Sequence, residues 1–277
     1  MSLGGTLIAE NLNVDYPLPF RLFFKRHQRR KGHGNRYRAL HDINIVVEPG
    51  ERVAVVGMNG AGKTTLFRSI AGILPPASGM LWISGHLSNS VERHPVGYMA
   101  ARPLVYRRIT GYENLRFIAR LYDVPNFEQK IKELTELVEL EDCIDSYVEQ
   151  YSTGMMARLD FARVLLPDPP LLLLDEPFGS FDIDFAQKAK DIIKNVKSTV
   201  LMATHNIRDV EELTERLILI DKGRVVNDVK FENLSEVAPT HIGRKALGIM
   251  DFTEILLKKY SPKNSKHKSL HRKHDLS

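Results

Sequence analysis

Residues 57–64 read Gly57-Met58-Asn59-Gly60-Ala61-Gly62-Lys63-Thr64, three glycines closed by a lysine and a hydroxyl residue. Glycines let the backbone N–H groups of a turn wrap a polyphosphate, and a helix starting at the lysine adds the positive end of its dipole. In such a turn Lys63 reaches the outer phosphates and Thr64 offers a hydroxyl to Mg²⁺. Gly57, Asn59, Gly60, Ala61, Gly62, Lys63, Thr64 and Thr65 are therefore the candidate phosphate-binding residues. Much later come Asp175 and Glu176, two acids directly after Leu171-Leu172-Leu173-Leu174. A carboxylate pair at the C-terminal edge of a parallel sheet lies where such sheets bind ligands. There Asp175 can hold Mg²⁺ through water, and Glu176 can act as base toward a water attacking the γ-phosphate. Alone, an acidic pair after a strand also fits a helix N-cap. Its place after a phosphate loop makes it the second half of a nucleotide site.

The flanking residues predict the elements that position this chemistry. Arg52-Val53-Ala54-Val55-Val56 is β-branched and follows Pro49-Gly50, so it reads as a buried strand entering the loop. Residues 65–72 have apolar positions at helical spacing and stop at Gly72. Short apolar runs at 171–174, 199–203 and 217–220 read as further buried strands, with a hairpin turn at Asp221-Lys222-Gly223. Residues 6–16, 42–47, 80–83 and 97–99 complete the strand set. From Gly111 to Leu140 the pattern is helical, which predicts a helix-rich subdomain over about residues 100–165.

The composition, 43% apolar and 26% charged over 277 residues, is that of a globular chain. No apolar run reaches the roughly 18 residues of a spanning helix, and Met1–Gly5 lacks signal-peptide features. One cysteine, Cys143, fits a reducing compartment. The net charge of +5 is unevenly spread. Residues 20–38 hold eight Lys/Arg and no acid, and residues 258–277 hold seven and one acid. The rest carries 24 basic and 33 acidic residues, a net of −9. An acidic body with two basic appendages argues against a broad nucleic-acid face, and no nucleic-acid partner is expected.

With further motifs in order, the chain resembles the ATP-binding subunit of an ABC transporter over residues 6–235. Tyr151-Ser152-Thr153-Gly154-Met155 stands where that family carries its signature, Gly179-Ser180-Phe181-Asp182 matches its D-loop, and Ala203-Thr204-His205 its switch histidine. Tyr16 matches the aromatic that stacks on adenine. The resemblance implies an α/β P-loop NTPase fold with a mixed sheet core, an antiparallel β part and an inserted helical subdomain. It implies ATP and Mg²⁺ as ligands, hydrolysis served by Glu176 and His205, and Mg²⁺ held by Thr64 and, through water, by Asp175. Ser152, Thr153, Gly154 and Asp182 would complete the ATP site of a second copy in a head-to-tail dimer. An integral-membrane permease would be the further partner, at the cytoplasmic face of the inner membrane. Two departures stand out. The glutamine that normally touches Mg²⁺ falls at Ala101, which can neither coordinate a metal nor bond water. The signature has Thr153 for glycine and Met155 for glutamine.

The form Tyr151-Ser152-Thr153-Gly154-Met155-Met156-Ala157-Arg158-Leu159 resembles the family's polysaccharide exporters of O-antigen, capsule and teichoic acid, as does an insert after Tyr16. That insert, residues 18–38, puts Phe20, Phe23, Phe24 and His27 on one helical face with cations around it, a pattern suited to an anionic membrane surface, the other reading being a solvated basic loop. The expected organisation is an ATP-binding domain over 1–240 and a basic extension over 241–277. Other readings of the same residues are the ATPase of another ABC exporter, a weakly hydrolysing nucleotide-binding scaffold, or an ATPase of this fold acting on DNA or the ribosome. The last would call for a coiled-coil insertion or a second ATPase domain, and neither is visible.

Overall fold

The computed structural model describes residues 4–17, 36–87, 96–204 and 206–231. Two sheets and a set of helices are built from these segments. Strands β1 (Leu7–Pro17), β2 (Arg36–Val47), β4 (Ser78–Ile83) and β5 (His86–Leu87) form an antiparallel sheet in the order β2-β1-β4-β5. Strands β3 (Arg52–Val56), β6 (Val96–Met99), β7 (Leu171–Asp175), β8 (Thr199–Ala203), β9 (Arg216–Asp221) and β10 (Arg224–Lys230) form the larger sheet, ordered β10-β9-β3-β8-β7-β6. Its interior pairs are parallel, and β10 closes one edge as an antiparallel hairpin partner of β9. The hairpin turns through Lys222 (φ 47°) and Gly223 (φ 75°), the two left-handed residues of a tight I′-type turn.

The parallel strands are apolar on both faces because both faces are covered. Along β7, Leu171 and Leu173 face the antiparallel sheet and helix α1 (Lys63–Ile70), where they join Leu12, Ile43, Leu66 and Phe67. Leu172 and Leu174 point the other way, into a core with Phe161, Phe185 and Leu115. A strand buried on both faces loses the apolar–polar alternation of a half-exposed one. Each fully buried leucine contributes roughly 1.5–3 kcal/mol of transfer free energy.

The second core belongs to α2 (Gly111–Leu121), α3 (Phe127–Leu137), α4 (Thr153–Leu165) and α5 (Ile183–Asn195), with α6 (Ile207–Leu213) after β8. Helices α2, α3 and α4 fall within 100–165 while α5 and α6 lie beyond it, and the 111–140 stretch is two helices. Pro125 and the left-handed Asp123 (φ 48°) and Asn126 (φ 47°) break it. Thr110 starts α2 with a capping box, accepting from Glu113 N while the Glu113 carboxylate accepts from Thr110 N.

Strand β2 also begins earlier than the pattern 42–47 suggested, at Arg36, so Arg36 and Arg38 belong to the sheet and not to the basic insert. An edge strand tolerates exposed cations. Across the pair Asp15↔Arg38 the guanidinium Nε donates to Asp15 Oδ1 at 2.9 Å. What is left of the insert, 18–35, and the C-terminal extension lie outside the described residues.

Candidate functional site

The loop of residues 57–62 leaves β3 at the C-terminal edge of the parallel sheet and enters α1 at Lys63. Gly62 makes that entry at φ 118°, and a Cβ there would stand 2.8 Å from Leu40 Cδ2, so only glycine fits without strain. The hairpin braces the loop from outside: Gly223 N donates to Ala61 O at 2.7 Å, and His41 N to Gly223 O at 2.8 Å. Helix α1 has no side-chain cap and no acid in its first turn. Its leading N–H groups are therefore offered to a ligand, an arrangement that fits a phosphate.

Lys63 is buried and folded back into the loop. Its Nζ donates to Gly57 O at 2.8 Å and to Met58 O at 3.4 Å. Burial pulls its pKa down, against the nearby carboxylates of Glu176 and Asp175, which raise it. Thr64 Oγ1 donates to Asp175 Oδ2 at 2.8 Å, joining the first turn of α1 to the end of β7. A hydroxyl and a carboxylate oxygen are hard donors of the kind Mg²⁺ takes. Among the described residues, no group of three or more His, Cys, Asp or Glu side chains could hold a metal by itself. An ion between Thr64 and Asp175 would thus depend on phosphate and water oxygens, as Mg²⁺ at nucleotide sites does.

Glu176 follows Asp175 in a left-handed conformation (φ 55°), uncommon for a residue with a Cβ, while its N–H still bonds Ala203 O at 2.8 Å. The end of β8 thereby sets where the acid leaves the sheet. Tyr16, near the end of β1, brings its hydroxyl within 3.4 Å of Thr65 Oγ1 and lies beside Arg68, whose pKa it raises. Asn59 and Gly60 form the exposed tip of the loop. One set of side chains from β1, α1 and β7 therefore converges.

The signature residues form a second group. Ser152 caps α4 by accepting from Met155 N at 3.2 Å, and Thr153 and Gly154 open the helix. A Cβ on Gly154 would sit 3.5 Å from Ser180 O, so this helix start lies against the 179–182 segment. Asp182 caps α5 through Phe185 N at 2.9 Å and accepts from Arg158 Nη2 at 2.5 Å. Arg158 also bonds Glu139 at 2.7 Å and stands 4.2 Å over the Phe185 ring. Within one chain Ser152 and Asp182 thus act as helix caps. His205 lies outside the described residues. Its neighbours are pinned: Asp209 accepts from Asn206 Nδ2 at 3.1 Å and from Lys190 Nζ at 2.6 Å, and Thr204 Oγ1 accepts from Asn206 N at 3.0 Å.

Sequence reasoning missed Asp160. It is fully buried on α4, accepting from Arg163 Nε at 2.7 Å and Leu104 N at 3.1 Å, while Arg163 reaches Tyr98 O at 2.7 Å. Asn114, also buried, bonds the backbone of Tyr106 on both sides, from its N–H at 2.8 Å and to its carbonyl at 2.9 Å. Together they fix the segment after β6 that contains exposed Ala101. An acid on an otherwise apolar helix face, three residues before an arginine, was the available signal.

The family model described as ABC transporter matches residues 40–179. The chain belongs to that family. It is 35% identical over 71% of its length to the ABC transporter ATP-binding protein YdbJ of Bacillus subtilis, of which it spans 66%. It is 32% identical over 72% of its length to the ABC transporter ATP-binding protein NatA of the same organism, spanning 85% of that protein. The sulfate/thiosulfate import ATP-binding protein CysA of Pectobacterium atrosepticum is 34% identical over 68% of the chain, which spans 60% of it. A solved structure of an ATP binding subunit of an ABC transporter superposes with TM-score 0.73 at 24% identity, covering 90% of this chain and 98% of that one. A dimeric ATP-binding cassette bound to ADP and Pi gives 0.69 at 23%, covering 82% and 99%. The ABC domain is a P-loop α/β cassette that binds ATP with Mg²⁺ and hydrolyses it. Among its described residues no helix is long and apolar enough to cross a membrane.

Proposed function

We propose that the chain powers an ABC transporter from the cytoplasmic face of the inner membrane, and that the transporter exports a lipid-linked polysaccharide. The convergence of Lys63, Thr64 and Asp175 carries the ATPase part of this reading. The loop amides, from Gly57 to Thr65, and Lys63 hold the phosphates, and Tyr16 stacks on adenine. Thr64 and, through water, Asp175 hold Mg²⁺, which when bound neutralises phosphate charge. Glu176 takes a proton from the attacking water, and His205 senses the γ-phosphate. Ser152, Thr153, Gly154 and Asp182 serve the ATP of a second copy paired head-to-tail. In support, the signature helix and the 179–182 segment lie side by side and are tied by Arg158, so they can meet a partner as one surface.

A membrane subunit is the partner that fits the face after β6. Leu104, Tyr106, Phe117 and Leu121 are exposed there among Arg102, Arg107, Arg108 and Arg120. The glycan rests on the Tyr151–Leu159 segment and on the basic, phenylalanine-bearing insert, both of which resemble the polysaccharide exporters; CysA, by contrast, is named for sulfate/thiosulfate import. In the source organism, Glu176→Gln is expected to slow ATP hydrolysis by about 10²-fold or more. It should keep ATP binding and stop a glycan from reaching the outer surface. If surface glycan is unchanged while uptake of a small anion stops, the export reading is wrong.

A further inference from the structure

Away from the nucleotide site, the helical block carries a cleft of about 400 Å³ between α3, the start of α2 and residues 141–145. Its apolar part is Ile131, Ile144 and the ring of Tyr112, and Thr135 Oγ1 is turned away into its own helix, donating to Ile131 O at 2.7 Å. Among the described residues four carboxylates rim it, Glu128, Glu136, Glu141 and Asp145, against the single cation Lys132. All four are exposed, and among the described residues none meets a cation within ion-pair distance. Glu139, on the same block, is by contrast bonded by Arg158 and Lys188. An apolar floor inside an unneutralised acidic rim calls for a segment that is apolar on one edge and basic around it.

We propose that the occupant is the chain's own C-terminal segment, residues 252–273. Phe252, Ile255, Leu256 and Tyr260 recur at the spacing of one helical edge. Lys258, Lys259, Lys263, Lys266, Lys268, Arg272 and Lys273 follow, with no acid between them. Reach does not exclude it. Twenty residues lie between Phe231, at the end of the described chain, and Phe252, a contour of about 70 Å at roughly 3.3–3.6 Å per residue. A globule of this length is only about 50 Å across. The basic insert is the poorer candidate, because both its ends are fixed at Pro17 and Arg36, which pair with each other in the antiparallel sheet.

Zero-length carbodiimide coupling of the full-length protein tests this, read by peptide mass spectrometry. Lys258 or Lys259 is expected to join Glu136, Glu141 or Asp145 in preference to other surface acids. Phe252→Ser with Ile255→Ser and Leu256→Ser should reduce those links at least fivefold. Glu136→Lys with Glu141→Lys should abolish coupling at those two positions and lower it at Asp145, and adding Lys258→Glu with Lys259→Glu should restore links of reversed polarity. Links that persist in the serine variant, or that scatter evenly over the acidic body, overturn the proposal. Mixing ¹⁵N-labelled with unlabelled chains separates the alternatives. Links of mixed mass would place a second copy's tail in the cleft and overturn the intrachain assignment.

Discussion

Replacing Asp160 separates the cost of a buried charge from the value of what it holds. Asp160→Ala removes the acceptor for Leu104 N, and leaves Arg163, whose side chain is 16% exposed, with only its bond to Tyr98 O among the described residues. Losing one partner of a buried ion pair costs about 3–5 kcal/mol. Two features of Asp160 work against that figure. Burial pushes its pKa up despite Arg163, and its Oδ2 has no hydrogen-bond partner among the described residues. The carboxylate is thus itself poorly solvated, and removing it returns some free energy. A net loss of about 2–3 kcal/mol is expected. Asp160→Asn keeps an oxygen for both donors and removes the charge, so its cost should be about 1 kcal/mol. Urea unfolding followed by circular dichroism and by Trp82 fluorescence measures both. With an m-value of about 3 kcal/mol/M, the alanine midpoint should fall by close to 1 M. If alanine lies within about 0.5 kcal/mol of the parent, or asparagine is the worse of the two, the network does not support the segment after β6.

Gly62→Ala forces a Cβ residue to φ 118° and into Leu40, so ATP affinity should drop by about tenfold or more, measured by calorimetric titration with MgATP. Glu212, bonded by Lys194 and further by Gln187 and Lys190, has its pKa lowered from 4.5 to about 2. Its stabilising contribution is present above pH 4.5 and lost as the pH falls toward 2. Because the group is exposed, that contribution is about 1 kcal/mol at most, and Glu212→Gln should flatten stability over this interval in acid titrations. Asp160 has the opposite sign: its raised pKa means stability gained as pH drops through it, so Asp160→Asn should steepen the acid loss. Changing Phe20, Phe23 and Phe24 to serine should reduce glycan export in cells and spare ATP binding; unchanged export would make the insert a bystander.

The sequence by itself determined the parts whose causes are local. A β-branched run, a glycine-rich turn and an apolar-periodic helix had to follow one another at 52–70, because each is specified by neighbours within a few residues. The runs at 171–174, 199–203 and 217–220 were readable as strands because burial on both faces leaves continuous apolar stretches. Tertiary structure decided what these strands put together. Only the order β9-β3-β8-β7-β6 brings the end of β7 beside the loop after β3, so that Thr64 reaches Asp175 across 111 residues. The early start of β2 was hidden because Arg36 and Arg38 look like a charged loop until Asp15 and an exposed sheet edge accommodate them. Asp160, Asn114 and Asp209 were hidden for the same reason. A single buried polar side chain has no periodicity, and the backbone groups and cations that make it tolerable come from distant segments that only the fold brings into contact.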